Sequence, residues 1–189
     1  MADGSTRALD EHLDLAGRID GLLPMVDEAA RLLIDVYDGG GRVYTFGNGG
    51  SAADAQHLVG ELVGRYLRER RPLPASALSV DPSVLTCISN DYSFDDVFAR
   101  QVLALARPGD VVIGYTTSGR SENVVRGLAA AREVGATTLL FAGGDGGSAA
   151  EHADHALVVP STTTARIQEM HLLLTHLLID QVDEWASRS

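Results

Sequence analysis

The stretch RVYTFGNGGSAADAQHLVGEL, Arg42 to Leu62, passes from a β-branched and aromatic run through a glycine turn into a helical segment. RVYTF reads as a short buried strand. GNGGS turns the chain, and the residues from Ser51 to Arg68 are expected to form a helix. Glycines let a backbone approach a ligand closely, and Ser51 is of a type that caps helices, whose N-termini bind anions. A tight strand–helix turn alone would explain the glycines equally well. The turn is neither a G-x-x-x-x-G-K loop nor a G-x-G-x-x-G fingerprint.

The unit recurs along the chain. PASALSV reads as a strand, followed by helical PSVLTCISN and FDDVFARQVLALA. PGDVVIGYT is a strand entered by a Pro-Gly-Asp turn, and TSGRSENVVRGLAAAREVGA is a turn and helix. TTLLFAGG and HALVVPS are two further strands, and a long helix closes the chain from Thr163 to about Ala186. Ahead of all this, residues from about Ser5 to Tyr37 carry apolar positions near a 3.6 period, ended by the glycine cluster of DGGGR. Strands alternating with amphipathic helices predict an α/β doubly wound parallel sheet, in which ligands bind beyond the carboxyl ends of strands.

Composition narrows the function. The 189 residues carry 15 basic and 26 acidic side chains, a formal net charge of −11, which argues against a nucleic-acid surface. It does not exclude an anionic substrate, because backbone N–H groups act at close range. Cys87 is the only cysteine, so no intrachain disulfide forms, as befits a reducing cytoplasm. No signal peptide or membrane-length apolar run is visible, and no linker divides the chain, so one domain is expected.

A second turn, Thr116-Thr117-Ser118-Gly119-Arg120-Ser121, follows a buried strand and opens a helix. Four hydroxyls and free helix N–H groups suit a phosphate. His57 and Glu61 lie four apart on the helix after the first turn and share a face. Such a pair can ligate a divalent metal or act as acid and base, although an isolated H-x-x-x-E is more often a surface pair. If GNGGS meets the ligand, the helix it opens carries Glu61 two to three turns deeper. The last helix, ARIQEMHLLLTHLLIDQVDEW, holds Gln168, His171 and His176 in an apolar run, where each needs a hydrogen-bond partner. The two histidines stand about 140° apart around a helix and cannot both face one site; spacing alone does not choose between them. His152 and His155 read as structural or exposed. Asn90-Asp91-Tyr92 is either a crevice edge or a plain turn.

GNGGSAADAQH…GEL, SVLT…ND, PGDV, TSGRSENV and ARIQEMH, in this order, resemble the sugar isomerase (SIS) domain, and within it the phosphoheptose isomerase family. The resemblance spans nearly the whole chain, and SAADAQH…E with RIQE…H is its most specific part. It implies a three-layer, flavodoxin-like fold with a five-stranded parallel sheet, between a long N-terminal and a long C-terminal helix. It implies one SIS domain over residues 1–189, with residues 1–38 serving oligomerisation. It implies a cytoplasmic homotetramer with sites at subunit interfaces, acting on a sugar phosphate, with no nucleic-acid or membrane partner. Thr116, Thr117, Ser118 and Ser121 would hold the phosphate. Asn48, Gly49, Gly50 and Ser51 would line the sugar, with Asn90 and Asp91 nearby. Glu61 and His176 would be the acid/base pair, and His171 helix packing. His57, Glu61, Gln168 and His176 would bind one zinc per subunit, with Gln168 also touching substrate. The implied reaction converts sedoheptulose 7-phosphate to the aldose. Thr116 and Arg120 stand where the family carries Ser and Asn, which keeps open an isomerase for another ketose phosphate. A non-catalytic SIS protein that binds a replication-initiation partner is the alternative from another class.

Overall fold

The computed structural model describes residues 2–188. Five parallel strands form one sheet: β1 (Val43–Gly47), β2 (Ala75–Ala77), β3 (Val111–Tyr115), β4 (Thr137–Gly143) and β5 (His155–Val159), in the order β2-β1-β3-β4-β5. Helices α1 (Ala2–Ala16), α2 (Leu23–Asp38), α3 (Gly50–Val63), α4 (Pro82–Asp91), α5 (Ala99–Leu105), α6 (Glu122–Glu133) and α7 (Thr164–Ala186) surround it. Successive strand side chains point to opposite faces, so each strand feeds two cores. Val43, Val111, Ile113, Leu139 and Leu157 pack with α2, α3 and α7. Tyr44, Phe46, Val112 and Leu140 pack with α4, α5 and α6. Burial on both faces explains why the strands read as continuous apolar runs rather than alternating ones.

The chain passes from β1 to β2 on one side, then returns to β3 on the other side of β1. That reversal opens a crevice at the carboxyl ends of β1 and β3. The register Gly47↔Tyr115 ends both strands level. The two turns picked out in the sequence therefore emerge side by side.

Three elements differ from the sequence expectation. The N-terminal run breaks at Gly17 into α1 and α2, joined by a 3-10 turn at Ile19–Leu22, and Pro24 occupies the first turn of α2. Proline is tolerated there because first-turn N–H groups lack intrahelical partners. The segment after α4 splits into a 3-10 turn, Phe94–Asp96, and α5. Helix α3 ends at Val63, five residues before Arg68. The Arg70 guanidinium takes up the carbonyls of Glu61, Leu62 and Gly64, and the Asp183 carboxylate accepts the N–H groups of Tyr66, Leu67 and Arg68. Tertiary partners thus satisfy backbone groups that a longer helix would have paired.

Helix α6 approaches β1 through Gly127. A Cβ built there meets the Phe46 ring at 2.6 Å. Phe46 is fully buried and stacked on Phe98 at 4.7 Å, so it has nowhere to move. Gly127→Ala gains ~1 kcal/mol of helix propensity but overpacks the core by roughly 1–3 kcal/mol. A lower urea midpoint with unchanged slope is the expected result.

Candidate active site

The first turn begins as β1 ends. Gly49 takes φ +56 and occupies the N-cap of α3, so Ser51 is not the cap; it sits inside the first helical turn, 4% exposed. A Cβ on Gly50 would stand 2.4 Å from Gln168 Nε2, so the missing side chain admits α7. The amides of Asn48 and Asn123 exchange two hydrogen bonds, 2.8 and 2.9 Å, which lock the first turn to the start of α6.

The second turn follows β3. Gly119 takes φ +66, and a Cβ there would lie 1.9 Å from the Gly146 carbonyl oxygen. Only glycine allows this turn to rest on the 144–147 loop. Thr116 is buried, and its Oγ1 accepts the Gly119 N–H at 3.1 Å. It therefore braces the turn from within, whereas Thr117, Ser118 and Ser121 reach solvent. Ser121 is the N-cap residue of α6 but makes no side-chain cap bond. That leaves the Ser121 hydroxyl unused as a cap at the N-terminus of α6, the arrangement that receives anions.

A cleft of about 660 Å³ opens beside this turn, lined by Thr117, Ser118, Arg120, Asp145, Ser161 and Thr162 among others. Its third wall is PSTTT, Pro160 to Thr164, between β5 and α7. Sequence reading missed this wall, although it carries the same signal as the second turn: hydroxyls after a strand and before a helix. The Asn48–Ser51 turn does not line the cleft. Asn90 and Asp91 lie exposed at the end of α4, bonded to each other at 2.8 Å, and are not among the lining residues.

Farther along α3 and α7, His57, Glu61 and His176 converge. Their nitrogen and carboxylate atoms all lie within 4.8 Å of one another. His57 Nε2 stands 2.9 Å from His176 Nε2 and 3.5 Å from Glu61 Oε1. Ligand atoms around a tetrahedral zinc with ~2.0–2.1 Å bonds stand about 3.3 Å apart, a value these two separations straddle. Burial lowers the His176 pKa, the His57 charge lowers it further and Glu61 opposes both. A neutral imidazole is the form that ligates metal. Three residues 119 positions apart at the extremes thus form a group able to hold a divalent ion.

Three residues around this group were not picked out in the sequence. Tyr66 stacks on His176, with ring centroids 5.4 Å apart and an interplanar angle of 20°. Asp54 lies on the face of α3 that bears His57 and Glu61; its Oδ2 has no partner, and burial raises its pKa to about 6. Its i, i+3, i+7 spacing was the available signal. Thr175 bonds the Tyr115 hydroxyl at 3.1 Å and joins α7 to β3. His171 is fully buried with Nε2 3.1 Å from the Ala142 carbonyl oxygen, and burial lowers its pKa to about 4. His155 pairs with Glu28 at 3.1 Å, remote from the group.

Comparison with known proteins shows the family. Residues 18–143 match the SIS domain family. A phosphoheptose isomerase of Aquifex aeolicus is 54% identical over 157 residues, 83% of this chain and 82% of that one. One from Citrifermentans bemidjiense is 49% identical over 176 residues, 93% and 92% of the two chains. The solved phosphoheptose isomerase of Neisseria gonorrhoeae superposes with a TM-score of 0.92 at 40% identity, covering 97% of this chain and 98% of that one. The chain belongs to the SIS domain family and, within it, to the phosphoheptose isomerases.

Proposed function

We propose that the chain is an aldose–ketose isomerase converting sedoheptulose 7-phosphate to D-glycero-D-manno-heptose 7-phosphate through an enediol. The observation that carries this reading is the convergence of His57, Glu61 and His176 from two helices, in a chain that also presents hydroxyl turns fit for a phosphate. Glu61 removes the proton from one of the two adjacent carbons and returns it to the other. His176 exchanges the oxygen-bound proton. Thr117, Ser118, Ser121 and the first N–H groups of α6 grip the phosphate, and Thr116 braces them. Asn48, Gly49, Gly50 and Ser51 line the sugar on this reading, with Asn90 and Asp91 at its margin.

His57, Glu61 and His176 would hold zinc, one ion per subunit; Gln168, expected as a fourth ligand, instead lies against Gly50, about three turns away along α3, and stands apart from this group in the same chain. Bound zinc supplies Lewis acidity at the carbonyl oxygen. A ligand present at 100 times its Kd stabilises a fold by about 2.7 kcal/mol. Zinc is therefore expected to raise the melting temperature of chelator-treated protein, and His57→Ala to abolish the rise, in calorimetry.

The site is read as shared between the subunits of a cytoplasmic homotetramer. Gly50 and Glu61 are separated by ~16 Å along α3, and Thr164 and His176 by ~18 Å along α7, at 1.5 Å per residue. The eight bonds from C1 of the sugar to phosphorus span at most ~12 Å at ~1.5 Å each. The reach of the substrate favours the cleft of one copy meeting the acid/base group of another. Exposed Leu9, Leu13, Leu172 and Leu177 on α1 and α7 supply apolar surface for such contacts. No helix among the described residues is long and apolar enough to cross a membrane. Turnover of sedoheptulose 7-phosphate against a panel of shorter ketose phosphates tests the substrate; preference for a shorter ketose would overturn it. The assembled acid/base group weighs against a purely binding role.

A further inference from the structure

Among the residues lining the cleft, Arg120 is the one cation and Asp145 the one anion. They face each other: Arg120 Nη2 donates to both Asp145 carboxylate oxygens, at 3.0 and 2.7 Å. Among the described residues, Nε and Nη1 of Arg120 have no hydrogen-bond partner. Asp145 is fixed from its other side, since the Gly147 N–H donates to Oδ1 at 2.9 Å. That bond, with the Arg120 charge second, holds the carboxyl below its ordinary range. Both side chains are well exposed, at 62% and 71%. An exposed ion pair of this kind is screened by solvent and contributes little, so little holds Arg120 to Asp145.

The remaining cleft groups are hydroxyls and backbone N–H groups, polar but without formal charge. A phosphate seated on the second turn meets no counter-charge in the cleft except Arg120. Arginine bonds to phosphate are charge-assisted and often two-pronged, stronger than those from neutral donors.

We propose that Arg120 is a specificity-determining residue for the phosphate: it exchanges Asp145 for the phosphate of the incoming ligand, and Asp145 holds the guanidinium at the cleft edge until then. This rests on reading the cleft as a sugar-phosphate site. The phosphate does not change charge during isomerisation, so Arg120 binds ground and transition states alike. Its loss raises KM and leaves kcat in place. Asp145→Asn releases Arg120 while its side-chain oxygen still accepts from Gly147, so this variant binds phosphate more tightly.

The test titrates inorganic phosphate into the whole protein by calorimetry at two ionic strengths, alongside steady-state kinetics with sedoheptulose 7-phosphate. Arg120→Asn is expected to weaken phosphate binding about tenfold and to raise KM in step, with kcat within about twofold; hydrogen bonds to charged groups account for a change of that order. It also flattens the dependence of binding on salt. Asp145→Asn is expected to tighten phosphate binding about two- to threefold. An Arg120→Asn protein that binds phosphate as the parent does, with the same salt dependence, would overturn the proposal. Loss of phosphate binding in that variant without turnover of sedoheptulose 7-phosphate by the parent would support the Arg120 role and sink the isomerase reading instead.

Discussion

Replacing Glu61 with Gln lowers kcat for sedoheptulose 7-phosphate by about 10²–10⁴-fold, the usual contribution of a positioned acid or base. The substitution keeps shape and hydrogen-bonding capacity but removes the group that accepts the carbon-bound proton. Glu61 is a half-buried side chain near the end of α3, and its backbone carbonyl is held by Arg70, so the fold has little reason to change. The melting temperature without zinc should stay close to that of the parent. Mixing Glu61→Gln with a Thr117→Val/Ser118→Ala cleft variant, then re-forming oligomers, should restore part of the activity. That follows if one copy supplies the cleft and another the base. Parent-like kcat in Glu61→Gln would remove the base from the mechanism.

Asp183→Ala has the largest expected effect on stability. Asp183 and Arg70 are fully buried as side chains, with Arg70 Nε 3.0 Å from Asp183 Oδ1. Deleting one partner of a buried pair strands the other and costs ~3–5 kcal/mol. Here it also orphans three backbone N–H groups, of Tyr66, Leu67 and Arg68. Domains of this size hold only ~5–15 kcal/mol in total. A fall of roughly 6–20 °C in melting temperature is expected, at ~2–4 °C per kcal/mol. Asp183→Asn retains an acceptor and should fall less. Burial pushes the Asp183 pKa up, but the Arg68 N–H, the Arg70 guanidinium and the Leu67 and Tyr66 N–H groups outweigh it and hold the pKa below the ordinary value. Its stabilisation is therefore present above the unfolded value near ~4 and is lost as pH falls through the folded one. Because the same loop carries Tyr66 onto His176, turnover should decline along with stability.

The strands and both turns after β1 and β3 were readable in the sequence because their signals are local. A β-branched run bounded by glycines, as in RVYTFGNGG, leaves few alternatives. The end of α3 was not readable: its stop signal is Asp183, 120 positions downstream of Val63, and no window around Arg68 contains it. The inward turn of Thr116 was likewise a tertiary matter, since a run of hydroxyls does not say which one is buried. The His57–Glu61 pair was visible as spacing, but its meaning depends on His176, which only the packing of α7 on α3 brings within 2.9 Å. Cleft residues Ser161 and Thr162 carried a usable signal in PSTTT that went unread. The Arg120–Asp145 contact joins two loops 25 residues apart and had none.

The most direct test of the central claim is proton exchange. Purified protein is incubated with sedoheptulose 7-phosphate in D₂O, with and without zinc, and the C1 and C2 protons are followed by NMR. The account predicts deuterium incorporation with formation of the aldose phosphate, and loss of both in Glu61→Gln. Bound sugar phosphate with no exchange in the parent protein, zinc present, would contradict it.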